Sequence, residues 1–286
     1  MTRGLVVGAA GGRGIARLAR SDPIAAVCAA ILALAVIAAI FAPIVAPHDP
    51  SLVNLSVANE GPSGNYLLGT DGSGRDLLSR IIFGARSSLL GPLAVIVLAT
   101  LLALTLALSS AWIGGWFDDT VSAGLDMVFA FPGLLLAIGA VAVFGVGLIA
   151  PAIALGIAYT PYIARVLRGA ALRERRLPYV EALTIQGFSS VHIVTRHVLP
   201  NLRTLIVAQA TLTFAYATID LAAISYLGLG VQPPTPDWGL MVAQGQAAII
   251  AHHAGQALYP GLALVLVVVA VTVLGRRVAP SAEALL

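Results

Sequence analysis

Long apolar runs alternate with short polar segments along this chain. Each run has roughly the 17 to 25 residues with which a helix crosses a hydrocarbon core of about 30 Å, and a helix satisfies its own backbone hydrogen bonds there. The pattern therefore predicts six transmembrane helices, with a hairpin tip at Gly145 and Gly147 between the third and the fourth. The runs are Ile24–Ala46, Leu89–Ile113, Val121–Gly147, Leu148–Ala164, Thr204–Gly228 and Leu258–Leu274.

The composition agrees with a chain that resides in lipid. Hydrophobic residues make up 59% of the 286 residues and charged residues only 10%, whereas ordinary soluble domains carry about 25% charged residues. Cys28 is the single cysteine, so no disulfide within the chain is possible. The expected fold is an all-α polytopic membrane protein.

Basic residues predict the orientation, because arginines that flank membrane helices stay in the cytoplasm. All 16 basic residues are arginines, and only Arg75, Arg80 and Arg86 lie outside the segments that precede the first run, follow the fourth and follow the sixth. Both termini and the segment after the fourth run are therefore expected to be cytoplasmic. A cleaved signal peptide is the alternative for the N-terminus, but its apolar part would have only about 7 to 15 residues.

This orientation divides the chain into five parts. They are a cytoplasmic tail at 1–23, a first transmembrane helix at 24–46, an external segment with an amphipathic helix at 47–88, a five-helix core at 89–275 with a cytoplasmic loop at 178–200, and a cytoplasmic tail at 276–286. In the external segment, Gly72 and Gly74 predict tight turns, and Asp76 predicts the start of the helix that leads into the second span.

The residues themselves exclude several kinds of catalytic site. Because no lysine occurs in the sequence, neither a P-loop nor a lysine Schiff base is possible. No H-E-x-x-H motif or helical Ser/His/Asp set indicates a protease. His252 and His253 are adjacent and would diverge on a helix, so solvated loop residues are favoured over a metal site that includes His48. We expect no catalytic residue, no metal site and no cofactor bound by this chain.

The polar stretch "EALTIQGFSSVHIVTRHVLP", from Glu181 to Pro200, interrupts the apolar pattern between the fourth and fifth runs. It predicts two short helices joined at Gly187, which permits a positive φ, with Ser189 as the N-cap of the second helix, which ends near His197. Pro200 suits the first turn of the next span. Physical chemistry leaves two interpretations open: the stretch lies on anionic lipid, or it docks a cytoplasmic partner.

A family resemblance favours the second interpretation. The pattern of Glu181-Ala182-Leu183, Gly187 and Leu199-Pro200 resembles the EAA loop of permease subunits from ABC importers, with His197 at the position of an isoleucine in the general pattern. Four more stretches resemble the second permease subunit of the dipeptide, oligopeptide and nickel branch. These are "FAPIVAPHDP", "LLGTDGSGRDLLSRIIFGARSSL", "SYLGLGVQPPTPDWG" and "ALYPGLAL".

The resemblance implies a type I ABC importer permease in the bacterial inner membrane. It would pair with a homologous permease as a heterodimer, contact lipid, and work with two cytoplasmic ATPase subunits that hold ATP and Mg, and with an external substrate-binding protein, but with no nucleic acid. Dipeptides or short oligopeptides would pass by alternating access; nickel chelates, glutathione and haem are alternative cargoes. The implied ATPase-coupling residues are Glu181, Ala182, Leu183, Gly187, His197, Leu199 and Pro200.

Two external stretches are candidates for contact with the binding protein, with a purely structural role as an equal alternative. The three prolines of "QPPTPDWG" predict a rigid non-helical loop, with Trp238 at membrane-interface depth. The candidate contact residues are Asp71, Arg75, Asp76, Pro233, Pro234 and Trp238.

Asp220 is the best candidate for a polar residue of the translocation pathway. A carboxylate inside a span costs about 2.5 to 3.5 kcal/mol on insertion scales and faces a bundle interior or a watery cavity. Family members tend to carry a glutamate at the position held here by Leu221, so Asp220 is displaced by one residue, and an ion pair at the subunit interface is its alternative role. Ser225 and Tyr226 are further pore-lining candidates, and Asp126 is a weaker one.

Two different classes of protein remain as rivals to this interpretation. A secondary transporter working alone often shows inverted repeats or several paired charges within the membrane, and neither is found in this sequence. A membrane scaffold without transport activity is the other rival.

Overall fold

The computed structural model describes residues 22–278 as a bundle of α-helices. The helices are α1 (Pro23–Val45), α2 (Leu77–Ile113), α3 (Gly115–Phe129), α4 (Gly133–Phe144), α5 (Ile149–Arg175), α6 (Pro178–Ile185), α7 (Ser190–Ile193), α8 (Leu199–Tyr226), α9 (Trp238–Ile250) and α10 (Gly255–Val278). A 3₁₀ turn at Leu55–Val57 and a π-helical turn at Val194–Val198 complete the helical structure. The expected all-α fold is confirmed, and in the described range the only β-type pairing is an isolated bridge between Thr70 and Asp76.

Five helical segments are long and apolar enough to cross a membrane, and the α3–α4 pair makes a sixth if it counts as one bent span. The prediction of one continuous helix over Val121–Gly147 was wrong, because α3 and α4 meet at 80°. The break lies at Phe131-Pro132, where the proline disfavours the α conformation of the residue before it. Pro132 itself is non-helical, with a ψ of 127°, and α4 begins at the next residue.

Several other boundaries differ from the sequence-based ones. The predicted fourth span, Leu148–Ala164, continues as α5 to Arg175. The helix expected after Asp76 is confirmed, since Asp76 Oδ2 accepts a hydrogen bond from the Ser79 backbone N–H and α2 then runs unbroken to Ile113. Helix α9, which follows the proline-rich loop, was not predicted.

Small residues let α2 and α5 approach closely. Four buried alanines of α2, which recur every four residues from Ala99 to Ala111, pack against Ile163 and Leu167 of α5. Gly156 of α5 lies so near α2 that an added Cβ would sit 2.7 Å from Leu98 Cδ2. Between apolar lipid tails, such close van der Waals packing drives helix association.

Helix α1 packs against α2 and α10 and is secured at two points. Asp22 caps its first turn through the backbone N–H groups of Ile24 and Ala25, and also forms an ion pair with Arg277 of α10. Near the other end, Pro43 has no N–H to donate to the carbonyl of Ala39.

Arg86 of α2 supplies the missing donor. Its Nε donates to the Ala39 carbonyl at 2.6 Å, and its Nη2 donates to the Ile40 carbonyl at 3.1 Å. An unpaired carbonyl in an apolar environment is costly, so Arg86 stabilises the proline-containing turn of α1.

Candidate functional site

The candidate site has two parts: the elbow, which comprises residues 176–198 between α5 and α8, and a cleft beside α8. The elbow turns at Gly187, whose φ is +83°. The N–H of Gly187 donates to the Thr184 carbonyl and that of Phe188 to the Leu183 carbonyl, the two bonds of a Schellman motif. Ser189 Oγ then accepts a hydrogen bond from the His192 N–H. The predicted turn and N-cap are confirmed.

The second half of the elbow does not end at His197 as predicted. It runs directly into the next span, so that Ser190–Tyr226 forms one continuous helical segment. A π-helical turn makes this possible, with the Leu199 N–H bonded to the Val194 carbonyl. Pro200 explains the wider turn, because its ring would collide with the carbonyl four residues earlier in a regular α-helix.

Four aromatic rings form a ladder along the elbow, which we call the ring ladder. Phe188 stacks on His192, with centroids 5.0 Å apart and an interplanar angle of 18°. The His192 and His197 centroids are 6.0 Å apart, and those of His197 and Tyr179 are 6.4 Å apart. The ladder therefore connects the exposed tip of the elbow to its base.

Tyr179 fastens the base of the ladder to two membrane helices. Its hydroxyl donates to Glu174 Oε1 of α5 at 2.7 Å, and Asn201 Nδ2 of α8 donates to the same oxygen at 2.5 Å. Burial raises the pKa of Tyr179, and the hydrogen bond to the Glu174 carboxylate raises it further, so the hydroxyl keeps its proton. The base of the elbow is thus hydrogen-bonded to Glu174 of α5, which is also bonded to Asn201 of α8.

The outer surface of the elbow is apolar and exposed. Ile185 is 81% exposed and Val191 is 72% exposed, and Phe188 lies between them. On the inner side, Val180 and Ile193 are buried against α2 and α5 and anchor the elbow. An exposed apolar surface on a firmly anchored element is typical of a protein contact.

All seven predicted coupling residues lie on the elbow or at its junction with α8. Glu181, Ala182, Gly187 and Pro200 are exposed, whereas Leu183, His197 and Leu199 are half-buried. A Cβ added at Gly187 would meet no atom within 4 Å, so the glycine is required for its positive φ rather than for space.

The second part of the site is a cleft of about 490 Å³ that contains Asp220. The Tyr159 hydroxyl donates to Asp220 Oδ2 at 2.8 Å. The cleft is lined by Phe129, Phe131, Pro132, Gly133, Ala158, Tyr159, Tyr162, Thr213, Tyr216 and Asp220.

The other pore-lining candidates lie outside this cleft. Ser225 is buried so tightly beneath Gly230 that any side chain at Gly230 would collide with its hydroxyl, so Ser225 contributes no lining surface in this conformation. Tyr226 is exposed and donates to Gln246 Oε1 at 3.1 Å. Asp126 is also exposed, and Arg165 pairs with it at 2.6 Å.

The far end, which we define as the end opposite the elbow, carries the predicted binding-protein contacts. Asp71 pairs with Arg75 at 2.7 Å and with the buried Arg80 at 3.5 Å, while Asp76 is enclosed as the cap of α2. Because these side chains are buried, they organise the segment rather than form its outer surface. Contact between this segment and the binding protein stays a prediction.

Trp238 is buried inside the fold, and its membrane-interface depth stays a prediction. Its indole Nε1 donates to the Ile81 carbonyl at 2.9 Å, and Gly84 leaves room for the ring, since an added Cβ would sit 3.0 Å from Trp238 Cδ1. Pro233 and Pro234 are exposed on the non-helical loop before α9 and stay candidates for contact. Among residues 22–278, no three metal-ligating side chains come together.

Comparison with known proteins shows the family. The family model described as "binding-protein-dependent transport system inner membrane component" matches residues 96–283, and the one described as "N-terminal TM domain of oligopeptide transport permease C" matches residues 13–62. The di/tripeptide transport system permease protein DppC of Pseudomonas aeruginosa is 40% identical over 248 residues, which cover 85% of this chain and 82% of that protein.

A further relative and a solved structure are also similar to this chain. The glutathione transport system permease protein GsiD of Pectobacterium atrosepticum is 37% identical over 253 residues, which cover 87% of this chain and 83% of that protein. The fold resembles that of the methionine ABC transporter MetNI in an inward-facing conformation, with a TM-score of 0.57 at 20% identity over 72% of this chain and 97% of that one. The chain therefore belongs to the binding-protein-dependent inner-membrane components, as an ABC importer permease of the peptide-transport branch and a multi-pass protein of the bacterial inner membrane.

Proposed function

We propose that this chain is one of two homologous permease subunits of an importer for dipeptides or short oligopeptides, and that its elbow is the element through which ATPase subunits drive it. The observation that carries the proposal is the exposed apolar surface of an elbow fixed to α5 and α8. The arginine distribution supports a cytoplasmic location for the elbow, where the ATPases would bind.

In this proposal transport depends on movement of the helices, and this chain makes or breaks no covalent bond. Two cytoplasmic ATPases, which hold ATP and Mg, would pull the elbows of the two permeases together as they close. The Tyr179–Glu174–Asn201 contacts would carry this displacement into α5 and α8, which both line the Asp220 cleft. The cleft would then open alternately to the two sides of the membrane, and an external binding protein would deliver the cargo.

The relatives guide the choice of cargo. Those at 40% and 37% identity are named for transport of di/tripeptides and of glutathione, itself a small peptide. These names favour short peptides over nickel chelates and haem, with glutathione as the second candidate cargo. Because the family works with separate ATPase subunits, neither the secondary transporter working alone nor the scaffold is proposed.

The elbow surface can be tested by introducing charge without disturbing the fold. We expect Ile185→Asp and Val191→Asp each to lower the ratio of ATPase to permease in the purified complex, and to lower ATP-dependent uptake of alanylalanine at least about tenfold, because an unpaired charge would be buried at the contact. The matched control is Ile250→Asp at the end of α9, since Ile250 is 85% exposed but lies at the far end. The proposal fails if both elbow variants retain their ATPases and transport like the control.

A further inference from the structure

Asp220 lacks the arginine partner that Asp118 and Asp126 have. Asp118 forms a two-point ion pair with Arg168 of α5. Asp126 pairs with Arg165, which lies on α5 one turn before Arg168. No ion pair within residues 22–278 includes Asp220, whose one hydrogen bond in that range comes from the neutral Tyr159 hydroxyl. A carboxylate inside a span is costly unless a cation or water compensates it.

The cleft around Asp220 has the composition of a site for an organic cation. Tyr159, Tyr162, Tyr216 and Phe131 line it. Phe129 lines it too, and the Arg165 guanidinium already lies 4.3 Å from the centroid of that ring. A carboxylate gives an ammonium group its counter-charge, and neighbouring aromatic rings attract it through their quadrupoles. The open volume of about 490 Å³ is large enough for a short peptide backbone, and none of the residues that line this cleft is basic.

We propose that the Asp220 cleft binds the protonated α-amino group of the peptide during its passage. This ligand rests on the proposed function, because an α-ammonium group is what unmodified peptides share whatever their side chains. A contact with that group would let one cleft hold peptides of many sequences. The bond is reversible, and the ammonium leaves with the peptide when the cleft changes its access.

A reporter thiol measures the charge preference of the cleft without any need for transport. Because Cys28 is the single cysteine, Cys28→Ala with Ala158→Cys leaves one thiol in this chain, at a position that lines the cleft. In the intact complex, its modification by a trimethylammonium-ethyl and by a sulfonatoethyl methanethiosulfonate is followed by mass spectrometry of this subunit. The ratio of the two rates cancels differences in thiol reactivity and reports the local preference for positive charge.

We expect the cationic reagent to react at least about fivefold faster than the anionic one, from the Coulomb energy of one charge at this range. Adding Asp220→Asn should bring the ratio close to one. Asp119→Asn is the matched control, because Asp119 is an exposed carboxylate of α3 that does not line the cleft, and it should leave the ratio unchanged. Alanylalanine at high concentration should protect the thiol, whereas N-acetyl-alanylalanine should not.

Uptake by the complex supplies the second measurement. Asp220→Asn should lower alanylalanine uptake at least about tenfold, Asp220→Glu should restore most of it, and Asp119→Asn should have no effect. If Asp220→Asn leaves the ratio of the two modification rates unchanged, the cation site is overturned, whether or not uptake falls. The proposed function is not affected by that result. A ratio that depends on Asp220 in a complex that imports no peptide supports the cation site and overturns the proposed function.

Discussion

At the far end of this permease, Asp71 and Arg80 are buried and paired, whereas at the elbow Ile185 and Val191 are mostly exposed. The two regions thus invert the usual placement of charged and apolar groups. Buried ions are tolerated where their partners are supplied by the same chain, and exposed apolar side chains persist where a second protein covers them. The buried charges of the far end have their partners within the described residues, whereas the exposed apolar side chains of the elbow would be covered by an ATPase subunit under the proposed function.

The largest effect on stability is expected at the far end. Asp71→Ala would leave the guanidinium groups of Arg75 and Arg80 without their shared counter-charge, which should lower the free energy of unfolding by about 3 to 5 kcal/mol. Unfolding of the purified protein in detergent measures this. The control is Asp49→Ala in the same segment, because Asp49 is exposed and, among residues 22–278, its carboxylate bonds only to Ser51 two positions later. The midpoint of this variant should match that of the parent. Equal midpoints for the two variants would show that the buried network is dispensable.

Arg86→Met should have the next largest effect. It leaves the Ala39 carbonyl without its donor, at a cost of about 1 to 3 kcal/mol. In a Pro43→Ala background the backbone N–H returns, so the same substitution should cost less, and a double-mutant cycle measures the difference. Additive effects would contradict the compensation between Arg86 and the proline.

A smaller effect on stability is expected at the base of the elbow. Tyr179→Phe removes the hydroxyl bonded to Glu174 and should cost about 1 kcal/mol. Its larger consequence is functional: ATP hydrolysis should continue while the uptake per ATP falls. Thr120→Val removes a hydroxyl bond of similar length, from Thr120 Oγ1 to the Trp116 carbonyl of α3, and serves as the control. If the two variants transport equally well, the bond between the Tyr179 hydroxyl and Glu174 does not transmit motion.

The smallest effect on stability is expected at the elbow surface. Ile185→Ser should change the free energy of unfolding by less than about 0.5 kcal/mol, because the side chain contacts mostly solvent. It should nevertheless weaken retention of the ATPase subunits. A loss of stability as large as that of Arg86→Met would mean that Ile185 belongs to the core of the permease.

The sequence predicts the parts of this molecule that depend on local chemistry. The turn at Gly187 and the cap at Ser189 follow from backbone preferences of single residues, and both are present. The break between α3 and α4 could also be predicted from Phe131-Pro132, but the apolar run continues through these residues and indicates a single span. Helix α9 was not predicted either, because the prolines before it indicate a non-helical loop. The signal for the helix is Asp237, which caps it directly after the last proline.

The sequence does not predict burial that depends on residues far apart in the chain. Arg80 bonds to Gln244, 164 residues away, so no local pattern shows that this arginine is enclosed. The same holds for Asp220 and Ser225, which are five residues apart on one helix, yet one lines a cleft and the other is covered by a loop. Whether a residue of α8 lines a cleft or is buried depends on which other helices and loops pack against that face of the helix.

The ion pair between Asp22 and Arg277 joins the two ends of the described chain at one corner of the bundle. The first and the last described helices are therefore held together by charge as well as by packing. Stability at that corner depends on adjacency rather than on which helix is synthesised first.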